Sequence, residues 1–83
     1  MTHKLKTLPI FFSKVWEKEK QFEIRKNDRG FKNGDKLILE EWSELNGYTH
    51  RFIDCTIKYV LQGFEGLSEG YVALSIEINN CVS

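Results

Sequence analysis

Long apolar runs are absent from this chain. Nowhere does it carry the ~18 consecutive apolar residues that a membrane helix needs. The opening run Met1-Thr2-His3-Lys4-Leu5-Lys6 lacks the apolar middle of a secretion signal, so the expected location is cytoplasmic. Cysteine is scarce as well. Cys55 and Cys81 have no CxxC spacing, which points to free thiols in a reducing compartment. With His3 and His50 scattered, no metal-ligand spacing arises, and neither a metal nor a cofactor is expected. Repeats and low-complexity segments are missing. Gly63, Gly66 and Gly70 cluster, but no Lys-Ser/Thr follows and no helix begins there, so they form no phosphate loop. An excess of either charge is missing too, because 12 Lys/Arg balance 12 Asp/Glu. Any affinity for a polyanion is correspondingly modest.

What is present is core material. The 83 residues amount to one domain, residues 1–83. Aromatics make up 13% of the chain and include six Phe, which supplies large side chains to a small core. Leu5 to Leu8 reads as a short strand. Pro9 then opens a helix reaching about Glu19, with Phe11 and Val15, and Phe12 and Trp16, spaced to form its apolar face. The outer pairs Ser13–Glu17 and Lys14–Lys18 offer no ion pairing, so packing must hold this helix.

Phe22-Glu23-Ile24-Arg25 alternates as a strand does, with Phe22 and Ile24 expected inward. Asn27-Asp28-Arg29-Gly30 and Lys32-Asn33-Gly34-Asp35 read as turns. A strand over Lys36 to Trp42 follows, then a loop from Ser43 to His50. A long strand from Arg51 to Leu61 offers Ile53, Cys55, Ile57 and Tyr59 as its inner row. After an irregular loop from Gln62 to Gly70, the last strand runs from Tyr71 to Ile78, with Val72, Leu74, Ile76 and Ile78 on one face. The expected fold is α+β and mainly β: a small β-barrel of about five strands with one N-terminal helix. Strands that follow the helix, instead of alternating with helices, argue against a doubly wound sheet. Short strands in so small a domain curl to hide their edges.

Charge is balanced overall but not along the chain. Residues 1–36 hold ten Lys/Arg against five Asp/Glu, a net of +5, and residues 37–83 carry a net of −5. Either one side faces a polyanion, or the fold interleaves the halves and mixes the charges.

The densest functional candidate is Lys18 to Arg29. On a strand, Glu23 and Arg25 share a face, and Lys20 sits just before it. A half-buried Lys beside a carboxylate serves as a base or a phosphate clamp. Arg25 and Arg29 offer forks for phosphate or a base edge, with Lys26 and Asp28 beside them. The competing reading is a solvated strand face with weak charge pairs. Trp42, at a strand end, is the better base-stacking candidate, whereas Trp16 and Phe12 suit the core. Tyr71, after Gly70, either lines the cleft or closes the barrel. His3 either contacts a ligand or, as a lone N-terminal His more often is, stays exposed. Lys4 and Lys6 lie outward on the first strand, as a phosphate track or as plain solvated side chains. Glu40, Glu41, Glu44, Glu65 and Glu69 offer an acidic surface to a protein partner.

Several segments resemble a known group: His3-x-Leu5-Lys6, Pro9-x-Phe11-Phe12, the run from Lys20-x-Phe22 to Arg29, Phe31-x-x-Gly34-Asp35-x-Leu37, and Gly70-Tyr71-Val72-x-Leu74-Ser75-Ile76. Together they resemble the small DUF3850-type proteins of bacteria and phages, in the ASCH branch of the PUA-like superfamily. The resemblance covers nearly the whole chain. It implies a PUA-like β-barrel with the helix across one end and a cleft for RNA. The ASCH cleft motif G-x-K-x-x-E-x-R finds its Lys, Glu and Arg at Lys20, Glu23 and Arg25, while its Gly position is Lys18 here.

Some ASCH-like proteins are amidohydrolases acting on N4-acetylcytidine through a Lys, a Thr and a Glu. Lys20 matches their Lys, Glu23 stands at their Thr position, and Glu77 is the candidate for their Glu. A covalent Thr route is thereby closed, and a water-mediated route through Glu23 with Lys20 as stabiliser stays open. The resulting expectation is a module that binds RNA or a nucleotide-like ligand, with catalysis ranked below binding. Its cleft is lined by Lys20, Glu23, Arg25, Lys26, Asp28, Arg29, Trp42 and Tyr71. The alternative is a small amidohydrolase acting on a modified nucleoside through Lys20 and Glu23.

Overall fold

A computed structural model describes residues 1–83. The elements are β1 (Thr2–Thr7), α1 (Pro9–Trp16), β2 (Phe22–Lys26), β3 (Lys36–Ser43), β4 (Gly47–Leu61) and β5 (Tyr71–Val82). They form one five-stranded sheet in the order β1-β3-β4-β5-β2. β1 runs parallel to β3, and the other neighbours are antiparallel. The sheet curls into a half-barrel, and its concave side holds a core that includes Leu37, Leu39, Ile53, Ile57 and Leu74. Each such side chain contributes about 1.5–3 kcal/mol by leaving water.

Alternation explains most of the strands. In β5, Val72, Leu74 and Ile76 are buried and Ile78 packs on the core. The long β4 keeps Ile53, Cys55 and Ile57 inside, but Tyr59 is 56% exposed. The register with β5 shifts between Ile57 and Tyr59, and the extra residue reverses the alternation, so Val60 takes the inner place. The expected loop from Ser43 to His50 is instead a hairpin, in which β3 pairs with β4 down to Ser43 opposite Gly47. Bulges of this kind bend a sheet, which is how so few strands curl around one core.

α1 begins at Pro9, where a missing N–H costs nothing. Phe12 and Val15 are fully buried, with Trp16 packed against the core, whereas Phe11 turns out to solvent at 49% exposure. Lys14 finds carboxylates after all, although the outer pairs four apart offer none. Its ammonium lies 2.8 Å from Glu19 and 3.9 Å from Glu17, and the Glu19 contact holds that carboxyl below its ordinary pKa. The helix closes in a Schellman motif: Glu19 N–H donates to Lys14 O at 2.9 Å, and Lys18 N–H to Val15 O at 2.9 Å. Lys18 occupies the left-handed position of that motif, with φ of 65°. Glycine is favoured at such a position, so a lysine there carries backbone strain.

His3 is buried, not exposed. Its Nε2 donates to Asp35 Oδ2 at 2.9 Å, and its ring meets Phe31 edge-on at 4.9 Å. The hydrogen bond from His3 holds the Asp35 carboxyl below the usual range, against the upward push of burial.

Candidate functional site: the seam between the edge strands

The strand order leaves β1 and β2 as the two edges, and the curl brings these edges together without a ladder between them. Arginine side chains bridge the gap. Arg25 Nη1 donates to Lys6 O at 3.1 Å and Nη2 to the Thr7 hydroxyl at 3.2 Å. Arg29 Nη1 donates to Lys4 O at 2.8 Å. The guanidinium groups thus satisfy carbonyls that a sixth strand would otherwise have paired, and they blunt an exposed edge.

β2 faces the opposite way from the expectation that Phe22 and Ile24 point inward. These two are 48% and 53% exposed, while Glu23 is buried at 3% and Arg25 is half-buried. As an edge strand beside an unpaired gap, β2 looks inward onto carbonyls and a hydroxyl as well as apolar side chains. That environment rewards a charged, hydrogen-bonded face. Glu23 is fully engaged. Its Oε1 accepts from Arg25 Nε at 2.9 Å and Nη2 at 2.7 Å, and its Oε2 accepts from Lys20 Nζ. Lys20 also donates to Phe22 O at 2.7 Å, and its ammonium lies 4.9 Å from the Phe22 ring centroid. One buried carboxylate thus meets two cations, so it keeps an ionic partner when either one is removed. Glu23 and Arg25 are not the solvated strand face of the competing reading.

A groove of about 620 Å³ opens over this cluster. Buried Thr7 and Glu23 with Arg25 form its floor. The exposed Leu8, Phe11, Phe22 and Ile24 supply apolar walls, and Lys6 and Lys20 complete the lining. A small number of convergent polar groups between apolar walls is the usual make-up of a ligand site. Basic residues follow the seam beyond the groove. Lys4, Lys6 and Lys26 have no carboxylate within ion-pair distance, and Arg29 has Asp28 at 3.8 Å. Because both edge strands come from residues 1–36, the curl concentrates the basic half at this seam instead of dispersing it.

The other expected site residues are spread out. Lys26, Asp28 and Arg29 extend the rim without lining the groove. Tyr71 pairs with Lys26 across the β2–β5 ladder and also lies outside the lining. Trp42 sits on β3 beneath Lys6, whose ammonium is 4.4 Å from its ring. Glu77 is exposed on β5, between the inward-facing Ile76 and Ile78, and takes no part in the groove. Trp16 is half-buried under the Arg51 guanidinium, 5.0 Å away. Sequence reasoning missed Thr7, Leu8, Phe11, Phe22 and Ile24 as lining, and placed Lys6 on an outward track and not in the cleft. The K-x-x-E-x-R spacing held the signal, since placing all three charges in one cleft turns Phe22 and Ile24 outward.

Two further groups lie outside the seam. Cys55 is fully buried, and burial pushes its thiol up to about 12, with Glu23, Asp54 and Cys81 adding to the rise. It is an inert core thiol. Glu41, expected on an acidic contact surface, is buried. It accepts from Arg51 Nε at 2.9 Å and Nη2 at 3.1 Å and from the Thr49 hydroxyl at 2.8 Å. The Arg51 hydrogen bonds hold its carboxyl below the ordinary range despite burial. No helix is long and apolar enough to cross a membrane.

Fold and seam together define a small, β-rich half-barrel with a ligand-sized groove between its edge strands. Residues 2–76 match the family described as a domain of unknown function, DUF3850, and the chain belongs to that family. It is also similar to the uncharacterized 12.9 kDa protein in the GpA 3′ region of Escherichia phage P2, at 38% identity over 72 residues. That match covers 87% of this chain and 64% of the phage protein, so the chain spans less than two thirds of its relative.

Proposed function

We propose that the chain is an ASCH-type, PUA-like module that binds RNA or a nucleotide-like ligand in the seam groove. One observation carries this reading: Lys20, Glu23 and Arg25 converge at the base of a groove with apolar and aromatic walls. The walls suit a planar base, and the lining carries three cations against one carboxylate. The unpaired ammonium groups of Lys4, Lys6 and Lys26 suit a sugar-phosphate backbone running along the seam.

Binding is favoured over hydrolysis on the same residues. Both oxygens of Glu23 already accept from cations. A water-activating role would require one of them to leave. Glu77 stands on another face, and no second carboxylate lines the groove.

The test is a titration of pooled cellular RNA and free nucleosides against wild type and Lys20→Ala, at low and moderate salt. The expected result is binding that weakens with salt and falls at least tenfold in the variant, with the fold intact. Equal binding by both proteins would remove the groove as the site. Release of acetate from N4-acetylcytidine, lost in Glu23→Gln, would instead favour the hydrolase.

A further inference from the structure

The groove has a neighbour that its lining does not include. Trp42 and Tyr48 stand directly opposite one another across the β3–β4 hairpin. Tyr48 is 44% exposed, and Trp42 is half-buried. Lys6 links this pair to the groove. It is one of the lining residues, and its ammonium lies 4.4 Å from the Trp42 ring and 5.9 Å from the Tyr48 ring. Lys6 Nζ makes no hydrogen bond or ion pair. Glu40, its partner in the parallel register, is not within ion-pair distance. One cation without a hydrogen-bond partner therefore lies between the groove and a pair of aromatic rings.

We infer that the Trp42–Tyr48 pair is a second subsite of the seam, a stacking platform for the nucleotide next to the one in the groove, with Lys6 on the phosphate that joins them. The platform presupposes a nucleotide in the groove and so rests on that reading. A cation over an exposed aromatic face is held weakly, so a base with its own π-face can displace it. The displaced ammonium then has a phosphate beside it where it had no acceptor before. The tight hairpin fixes the backbone that carries both rings, which limits the ordering needed when a base arrives. Its ligand is accordingly a flexible single strand of at least two nucleotides.

The experiment compares two probes, mixed nucleoside 5′-monophosphates and labelled random-sequence RNA tetranucleotides. They are titrated against wild type, Tyr48→Ala, Tyr48→Phe and Lys6→Gln. Wild type should bind the tetranucleotides at least about tenfold more tightly than the monophosphates. Tyr48→Ala should lose most of that gain while binding monophosphates as wild type does, and Tyr48→Phe should keep it. Lys6→Gln should lower the salt slope of tetranucleotide binding by about 0.7, one single-strand phosphate. Monophosphate binding with no gain on lengthening, or a gain that survives Tyr48→Ala, overturns the platform and leaves the groove standing. No binding of either probe at low salt overturns both together.

Discussion

Two buried glutamates in this fold are built alike but sit in different surroundings. Glu23 and Glu41 are 3% and 6% exposed, and each is gripped through two nitrogens of an arginine. Around Glu41 the charges balance: one carboxylate, Arg51, and the neutral Thr49 hydroxyl. Arg51 is also covered by the Phe12 and Trp16 rings, at 5.3 and 5.0 Å, so the cluster ties β3 and β4 to the helix. Around Glu23 a second cation, Lys20, leaves a surplus positive charge, and the cluster opens into a groove instead of against a helix. The comparison teaches that burial and an arginine partner alone do not identify a site. Charge surplus and an opening to solvent separate a candidate site from a brace.

The largest effect is expected where the brace is cut. Arg51→Met leaves Glu41 buried and unpaired, and should cost about 3 kcal/mol in urea unfolding, the lower end for such a loss because Arg51 is 40% exposed. Ligand binding per folded molecule should not change. Arg25→Met should cost about 2 kcal/mol, since Glu23 keeps Lys20 but the seam loses its bridges to Lys6 and Thr7. Faster amide exchange confined to β1 and β2 would be its signature, and uniform loss of protection would contradict the seam assignment.

Acid should act next. Glu41 and Asp35 have folded pKa values below their ordinary 4.5 and 3.8, so their stabilisation is fully present above about pH 5 and is lost as pH falls through the folded values. The unfolding midpoint should therefore drop on acidification below pH 4, and the Glu41→Gln variant should show a shallower drop. The smallest effect is a gain. Lys18→Gly relieves a left-handed residue at the helix end and should stabilise by about 1 kcal/mol without altering the groove.

Much of the fold was legible because local pattern and burial agree. Val72, Leu74 and Ile76 alternate into the core, and Pro9 with Phe12 and Val15 defines the helix and its inner face. What the sequence concealed came from distant partners. Phe22 and Ile24 look like inward residues until β2 is known to be an edge beside an unpaired gap. Tyr59 turns outward because of a bulge that no local signal marks. His3 is buried because Asp35, 32 residues away, meets it. For the site, the motif spacing of Lys20, Glu23 and Arg25 was enough to bring out the cluster, but its walls and its link through Lys6 to Trp42 depend on how the sheet curls.

The most direct test sets the two clusters side by side: RNA titration and urea unfolding on Lys20→Ala and Arg51→Met. The account predicts a crossed result, with Lys20→Ala losing binding at small cost in stability and Arg51→Met losing stability while its folded fraction binds as wild type. If Arg51→Met lost binding in its folded fraction while Lys20→Ala kept it, the groove at the seam would not be the site.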